Sequence, residues 1–183
     1  MTISKILISG KPGCGKSTLV MRIVDALKEK NVTIGGIITP EFRQRGVRTG
    51  FKICNLLTAE CRIMASKLFS SPTRVGRYGV DLHVIETFGC DALRQAYTEA
   101  QVIVIDEIGK MELLSDKFQQ VLYDLLKSDK LLLATVGLAL LGRIESKLRE
   151  YDKQYSKYIL QPKNWAHEFT EILSLLSVAL GLA

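Results

Sequence analysis

The run Gly10-Lys11-Pro12-Gly13-Cys14-Gly15-Lys16-Ser17-Thr18 follows the apolar triplet Ile6-Leu7-Ile8 and leads into Leu19, Val20, Ile23, Val24 and Leu27 at helical spacing. This is G-x-x-x-x-G-K-[ST] in the strand, loop, helix setting that the phosphate-binding loop requires. Glycines free the backbone to wrap a phosphate chain with its N–H groups pointing inward. Lys16 adds a mobile positive charge for the β- and γ-phosphates, and the Ser17 hydroxyl can ligate Mg²⁺. Residues 10–18 are therefore candidate nucleotide-binding residues, with Lys16 also catalytic. Cys14 reads as an incidental small residue within the loop, because nothing nearby in sequence lowers its pKa.

The rest of the chain alternates strand-like and helix-like runs, which predicts a mostly parallel α/β sheet. Strands are expected at residues 3–9 and 33–39, with a helix over 16–30 between them and Pro40 ending the second strand. Residues 41–90 change character: short β-like pieces at 47–53 and 62–68 are separated by glycines and by Ser70-Ser71-Pro72, which predicts hairpins inserted on one side of the sheet. A helix is expected over 91–100 with Asp91 as its N-cap. The unbroken apolar run 102–105 predicts a strand buried on both faces. Phe118, Val121, Leu122, Leu125 and Leu126 mark one helix face, a buried strand follows at 131–136, a helix at 143–151, a last strand at 155–160, and a terminal helix capped by Asn164. One domain over 1–183 with a β-rich insertion is the economical reading.

The run 102–105 ends in Asp106-Glu107, which carries two carboxylates to the sheet edge where ligands gather in open α/β sheets. Asp106 is the candidate metal partner of Ser17, because Mg²⁺ takes few carboxylates and keeps several waters. Glu107 is then free to orient and deprotonate an attacking water. Lys110 is a candidate phosphate contact, with pairing to a nearby carboxylate as the open alternative, and Glu112 reads as structural. Phosphoryl transfer also gains from a cation reaching the γ-phosphate. Arg43, Arg45, Arg48, Arg74 and Arg77 form the pool.

The string Val104-Ile105-Asp106-Glu107-Ile108-Gly109-Lys110-Met111-Glu112, taken with the loop, resembles the THEP1 family of cancer-related nucleoside-triphosphatases. Thr39-Pro40-Glu41-Phe42-Arg43, Arg48-Thr49-Gly50-Phe51 and Arg74-Val75-Gly76-Arg77-Tyr78-Gly79-Val80 are similar to further segments of that family, and the match runs from about residue 3 to residue 136. Arg43 and Arg74 lie in these segments and are the arginines singled out for nucleotide. The resemblance implies a P-loop NTPase fold like that of nucleotide kinases: a mostly parallel central sheet flanked by helices, with a small β-hairpin insertion. It also implies slow, Mg²⁺-dependent hydrolysis of several nucleoside triphosphates with little base preference. After Val136, where relatives commonly carry basic residues, this chain has Gly137-Leu138-Ala139-Leu140-Leu141. Either Arg143 or Lys147 reaches the phosphates in their place, or turnover is weaker.

With 183 residues, 47% hydrophobic and 24% charged, the chain can bury a sizeable core. No export signal follows Met1, which predicts a cytoplasmic protein with Cys14, Cys54, Cys61 and Cys90 as reduced thiols. A net charge of +6 favours anionic ligands. Nucleic acid remains an alternative on a weak footprint, since the basic residues lack interleaved aromatics. The apolar run 172–183 is too short to span a bilayer and predicts a buried helix rather than a membrane anchor. His83 and His167 lack partners at metal spacing and read as surface or packing residues. A monomer is the expectation. Two other functions share the loop: a nucleoside or nucleotide kinase, which differs in its acceptor, and a nucleotide-gated RNA-binding module.

Overall fold

The computed structural model of the chain describes residues 3–182; Met1 and the end of the apolar tail at Ala183 lie outside the described residues. Five parallel strands form the centre of the sheet in the order β10 (Tyr155–Ile159), β1 (Lys5–Ser9), β9 (Leu131–Val136), β8 (Val102–Ile108) and β2 (Ile34–Ile38). The side-chain period of two sorts their residues onto opposite faces. Ile6, Ile8, Val102, Val104 and Leu133 pack with α1 (Lys16–Lys28) and α6 (Trp165–Ala179) on one face. Leu7, Ile103, Ile105, Leu132 and Ala134 pack on the other, against α3 (Cys90–Glu99), α4 (Asp116–Lys127) and α5 (Leu141–Glu150). Both faces being covered explains the continuous apolar runs. At β2, α3 comes so close that a Cβ on Gly35 would lie 2.8 Å from that of Ala96.

The insertion extends this same sheet instead of sitting on one side of it. β4 (Val47–Asn55) pairs antiparallel with β2, and β5 (Cys61–Ser66), β7 (Tyr78–Val80) and β6 (Arg74–Val75) follow outward, with β3 (Glu41–Gln44) as a hairpin partner of β4. Residues 41–80 hold eight Lys and Arg against two Glu, a surplus of six that equals the net charge of the whole chain.

Three further sequence expectations are corrected. Cys54 and Cys61 are not free thiols: they face each other in the β4–β5 ladder, Cα atoms 4.1 Å apart, and form a disulfide, leaving Cys14 and Cys90 free among the described residues. The helix before β8 begins not at Asp91 but at Asp81, whose side chain accepts from Val84 N at 3.1 Å, with α2 (Leu82–Val84) running through a π turn at Ile85–Gly89 into α3. Asp91 instead pairs with Arg94 inside the helix. Asn164 does precede α6, yet its side chain accepts from Gln161 N at 2.8 Å in a capping box around the turn Pro162–Asn164, not from α6.

No helix among the described residues is long and apolar enough to cross a membrane. Lys5, which carries no motif in the sequence, is fully buried at the opposite end of the strands from the phosphate loop, donating to Ser128 O at 2.8 Å and Lys130 O at 2.7 Å. Burial pushes its pKa down to about 8.

Candidate active site

A cleft of about 880 Å³ runs along the carboxyl ends of the parallel strands. Its first wall is the loop between β1 and α1, with Gly10, Pro12, Gly13, Gly15, Lys16, Ser17 and Thr18 all lining it. Gly15 turns the chain in the left-handed region, φ 95°, and starts α1 as its N-cap. The helix N-terminus therefore faces the cleft with its unpaired N–H groups, a setting that favours phosphate. Lys16 Nζ lies over the loop, donating to Gly10 O at 3.2 Å and Lys11 O at 3.4 Å. From behind, Trp165 of α6 donates to Gly15 O at 3.3 Å and stacks on Phe169, while Leu160 backs Gly10.

β8 runs on to Ile108, so Asp106 and Glu107 belong to the strand itself. β9 lies between β8 and the loop strand β1. That intervening strand supplies Thr135, fully buried, whose hydroxyl donates to Asp106 Oδ1. From the other side Thr39, at the end of β2, donates through both N and Oγ1 to Asp106 O, at 2.6 and 2.9 Å, and its Oγ1 accepts from Glu107 N at 3.1 Å. Thr135 thus holds the Asp106 carboxylate, and Thr39, just past β2, holds the main chain of Asp106 and Glu107. Asp106 is 6% exposed and its second oxygen takes no hydrogen bond from the described residues, leaving it open to the cleft.

Glu107 is half-buried, and burial raises its pKa above the ordinary value, with Asp106 acting in the same direction and Lys16 opposing. Glu112 is buried beneath it, accepting from Gly109 N at 3.1 Å through Oε2. Burial, reinforced by the charges of Glu107 and Asp106, pushes Glu112 up to about 8, so it is largely protonated at neutral pH. Lys110 is exposed and lines the cleft.

The arginines are placed elsewhere. Arg43 donates to Glu41 and to Gly46 O, Arg48 to Glu41 and the Tyr78 hydroxyl, and Arg74 to Phe69 O and Arg77 O. Neither Arg43 nor Arg74 lines the cleft; both lie exposed in the insertion, committed to neighbours that keep the hairpins in register. Glu41 does line it, and the guanidinium of Arg43, with that of Arg48, holds its carboxyl below the usual range. Arg143 and Lys147 do not reach toward the phosphate site either. Arg143 donates to Gln119 and Tyr123 of α4, and Lys147 pairs with Glu150 at 2.7 Å. His83 and His167 lie outside the cleft lining.

Sequence reasoning missed Thr39 and Thr135. Thr135 did carry a signal, as the only polar residue in a strand otherwise apolar throughout.

A family model described as NTPase matches residues 5–173 of the chain. The nucleoside-triphosphatase THEP1 of Methanothermobacter thermautotrophicus is 38% identical over 94% of this chain and 95% of its own length. The chain belongs to the THEP1 family. The THEP1 protein of Korarchaeum cryptofilum is 44% identical over 77% of this chain and 71% of its own. Among solved structures, THEP1 from Aquifex aeolicus superposes with a TM-score of 0.81 at 36% identity, covering 94% of this chain and 98% of that one. A human cancer-related nucleoside triphosphatase superposes with a TM-score of 0.78 at 30% identity over 95% and 97%. The THEP1 resemblance first carried by the loop and the Asp106-Glu107 string therefore extends well past residue 136, into α6, and the P-loop NTPase fold it implied is the one observed.

Proposed function

We propose that this protein hydrolyses nucleoside triphosphates to diphosphate and phosphate with Mg²⁺, tolerating several bases. The supporting observation is the placement of Glu107: a half-buried carboxylate beside Asp106, facing across the cleft to a phosphate-binding loop whose lysine lowers its pKa while burial raises it. The loop amides and Lys16 bind the β- and γ-phosphates, and Lys110 adds a contact from the cleft edge.

The chain's own donors suit a magnesium ion. Asp106 has one oxygen held by Thr135 and one open to the cleft, Ser17 presents a hydroxyl in the first turn of α1, and no cluster of three or more acidic, His or Cys ligands occurs among the described residues. That donor set matches an ion that relies on water and substrate phosphate for most of its ligands. When bound, Mg²⁺ neutralises charge on the phosphate oxygens. Glu107 orients a water toward the γ-phosphorus and takes its proton as the new P–O bond forms. The bond to the β–γ bridging oxygen breaks, and Lys16 stabilises the charge that collects on the departing diphosphate.

Glu107→Gln tests the assignment. Phosphate release under saturating nucleotide is expected to slow by about 10²-fold or more, the usual size of a general-base effect. Binding of a fluorescent nucleotide analogue should stay near the parent value. Unaltered phosphate release would transfer the base role to another residue and remove the main support for this reading.

A further inference from the structure

The two halves of the cleft differ in chemistry. In the order in which strand ends meet it, the floor passes from the loop after β1, through Gly137–Leu140 after β9 and Glu107 at β8, to Thr39 after β2, and then to Phe51, Met64 and Val75 of the insertion. Glu107 thus stands midway, with the phosphate loop on one side and an apolar chamber on the other. On the side away from the phosphate loop the lining is apolar at Phe51, Met64, Val75 and Met111. Met64 is anchored in the core, and Phe51, Val75 and Met111 are partly buried. Glu41, at the chamber's edge, is paired with Arg43 and Arg48.

A water molecule needs no apolar surroundings to reach Glu107. A nucleophile whose proton Glu107 removes must approach the γ-phosphorus from Glu107's side, and what adjoins that side is this chamber. Apolar walls with a few convergent polar groups are the signature of a site for an organic ligand. We propose that the chamber seats an uncharged molecule with an apolar body and a hydroxyl group, and that the protein transfers the γ-phosphoryl group of a bound nucleoside triphosphate to that hydroxyl.

The step balances as hydrolysis does. The acceptor oxygen forms the new bond to the γ-phosphorus, its proton passes to Glu107, and the bond to the β–γ bridging oxygen breaks with its electron pair leaving on the nucleoside diphosphate. With water in the chamber the product is free phosphate; with an alcohol it is a phosphate monoester. The inference rests on Glu107 acting as the base in the hydrolase reading above.

The test supplies γ-labelled ATP and Mg²⁺ with 2-phenylethanol, cyclohexylmethanol or ethylene glycol at equal concentration, and resolves phosphate from phosphate ester in each reaction. Apolar contact of this extent discriminates between acceptors by about tenfold or more. At least one apolar alcohol should therefore yield ester in that excess over ethylene glycol. Met111→Glu and Val75→Glu should each lower the ester-to-phosphate ratio about tenfold, a ratio read within one tube and insensitive to the fraction of folded protein. Phosphate released in every reaction, with no ester or no preference for apolar alcohols, overturns this inference and leaves the hydrolase reading in place. Failure to release phosphate in the alcohol-free control overturns both.

Discussion

Thr135→Val isolates one hydrogen bond. Valine keeps the shape of the side chain in a fully buried position, so no cavity opens, but Asp106 Oδ1 is deprived of its donor in a site where Asp106 is only 6% exposed. A hydrogen bond to a charged group contributes about 1.5–3 kcal/mol, and its removal leaves the carboxylate incompletely solvated. For a chain of this size each kcal/mol corresponds to about 2–4 °C in Tm, which places the expected fall at roughly 3–12 °C. A second effect separates orientation from stability. Partners that orient a metal-binding group typically govern metal affinity by about 10–100-fold, so the Mg²⁺ concentration giving half-maximal phosphate release should rise by that factor. Thr135→Ser, which restores the hydroxyl, should recover the Mg²⁺ dependence even though it removes a buried methyl. The assays are thermal unfolding by circular dichroism and phosphate release across a Mg²⁺ titration. A valine variant with the parent's Tm and the parent's Mg²⁺ midpoint would refute the reasoning that Thr135 holds Asp106 in place.

Glu112 has a folded-state pKa of about 8, above its unfolded value, so its stabilising contribution is full below pH 4.5 and is lost as pH rises through 8. Glu112→Gln removes that loss: its stability relative to the parent should climb between pH 5 and 8, by at most about 1.4 kcal/mol per pH unit, and level off above. Urea denaturation at several pH values checks this, and a pH-independent difference contradicts it. Gly10→Ala would place a Cβ 2.6 Å from Leu160 O at φ 151°, forcing the loop from its position. We expect a destabilisation of about 1–3 kcal/mol and weaker nucleotide binding by titration; unimpaired binding would show that the loop adapts. The Cys54–Cys61 bond closes a short loop with a sequence separation of 7 and is expected to contribute about 2–3 kcal/mol. A reductant should lower the parent's Tm and leave that of the Cys54→Ser/Cys61→Ser variant unchanged, and equal responses would exclude a contribution from the bond.

The parallel core was legible because its signals are local. Apolar runs, helical spacing and the loop motif each depend on a dozen neighbouring residues, and the strands β1, β8, β9 and β10 fall within a few residues of expectation. What sequence order conceals is which strands are neighbours. Only the position of β9 between β1 and β8 brings Thr135 to Asp106, across a separation of 29 residues. The disulfide was hidden for the same reason: Cys54 and Cys61 become partners only in the β4–β5 register, and a rule based on compartment argued the other way. The arginine candidates illustrate a limit of charge alone. Arg43 and Arg48 face each other across the β3–β4 ladder, a repulsive pair unless something bridges them, and Glu41 does so. Their hydrogen bonds run to neighbours within the insertion. The apolar chamber could not be foreseen from its parts, since Phe51, Met64, Val75 and Met111 come from four separate segments.

Confinement of the chain's net charge to residues 41–80 makes the molecule an electric dipole whose positive pole is the outer end of the sheet. A polyanion drifting toward it experiences a torque as well as an attraction, so its most charged end turns toward the insertion before any specific contact forms. Ions in solution shorten the reach of that field to about 8 Å at physiological ionic strength. Added salt therefore acts chiefly on how often a ligand arrives, while the local contacts at the loop govern how long it stays.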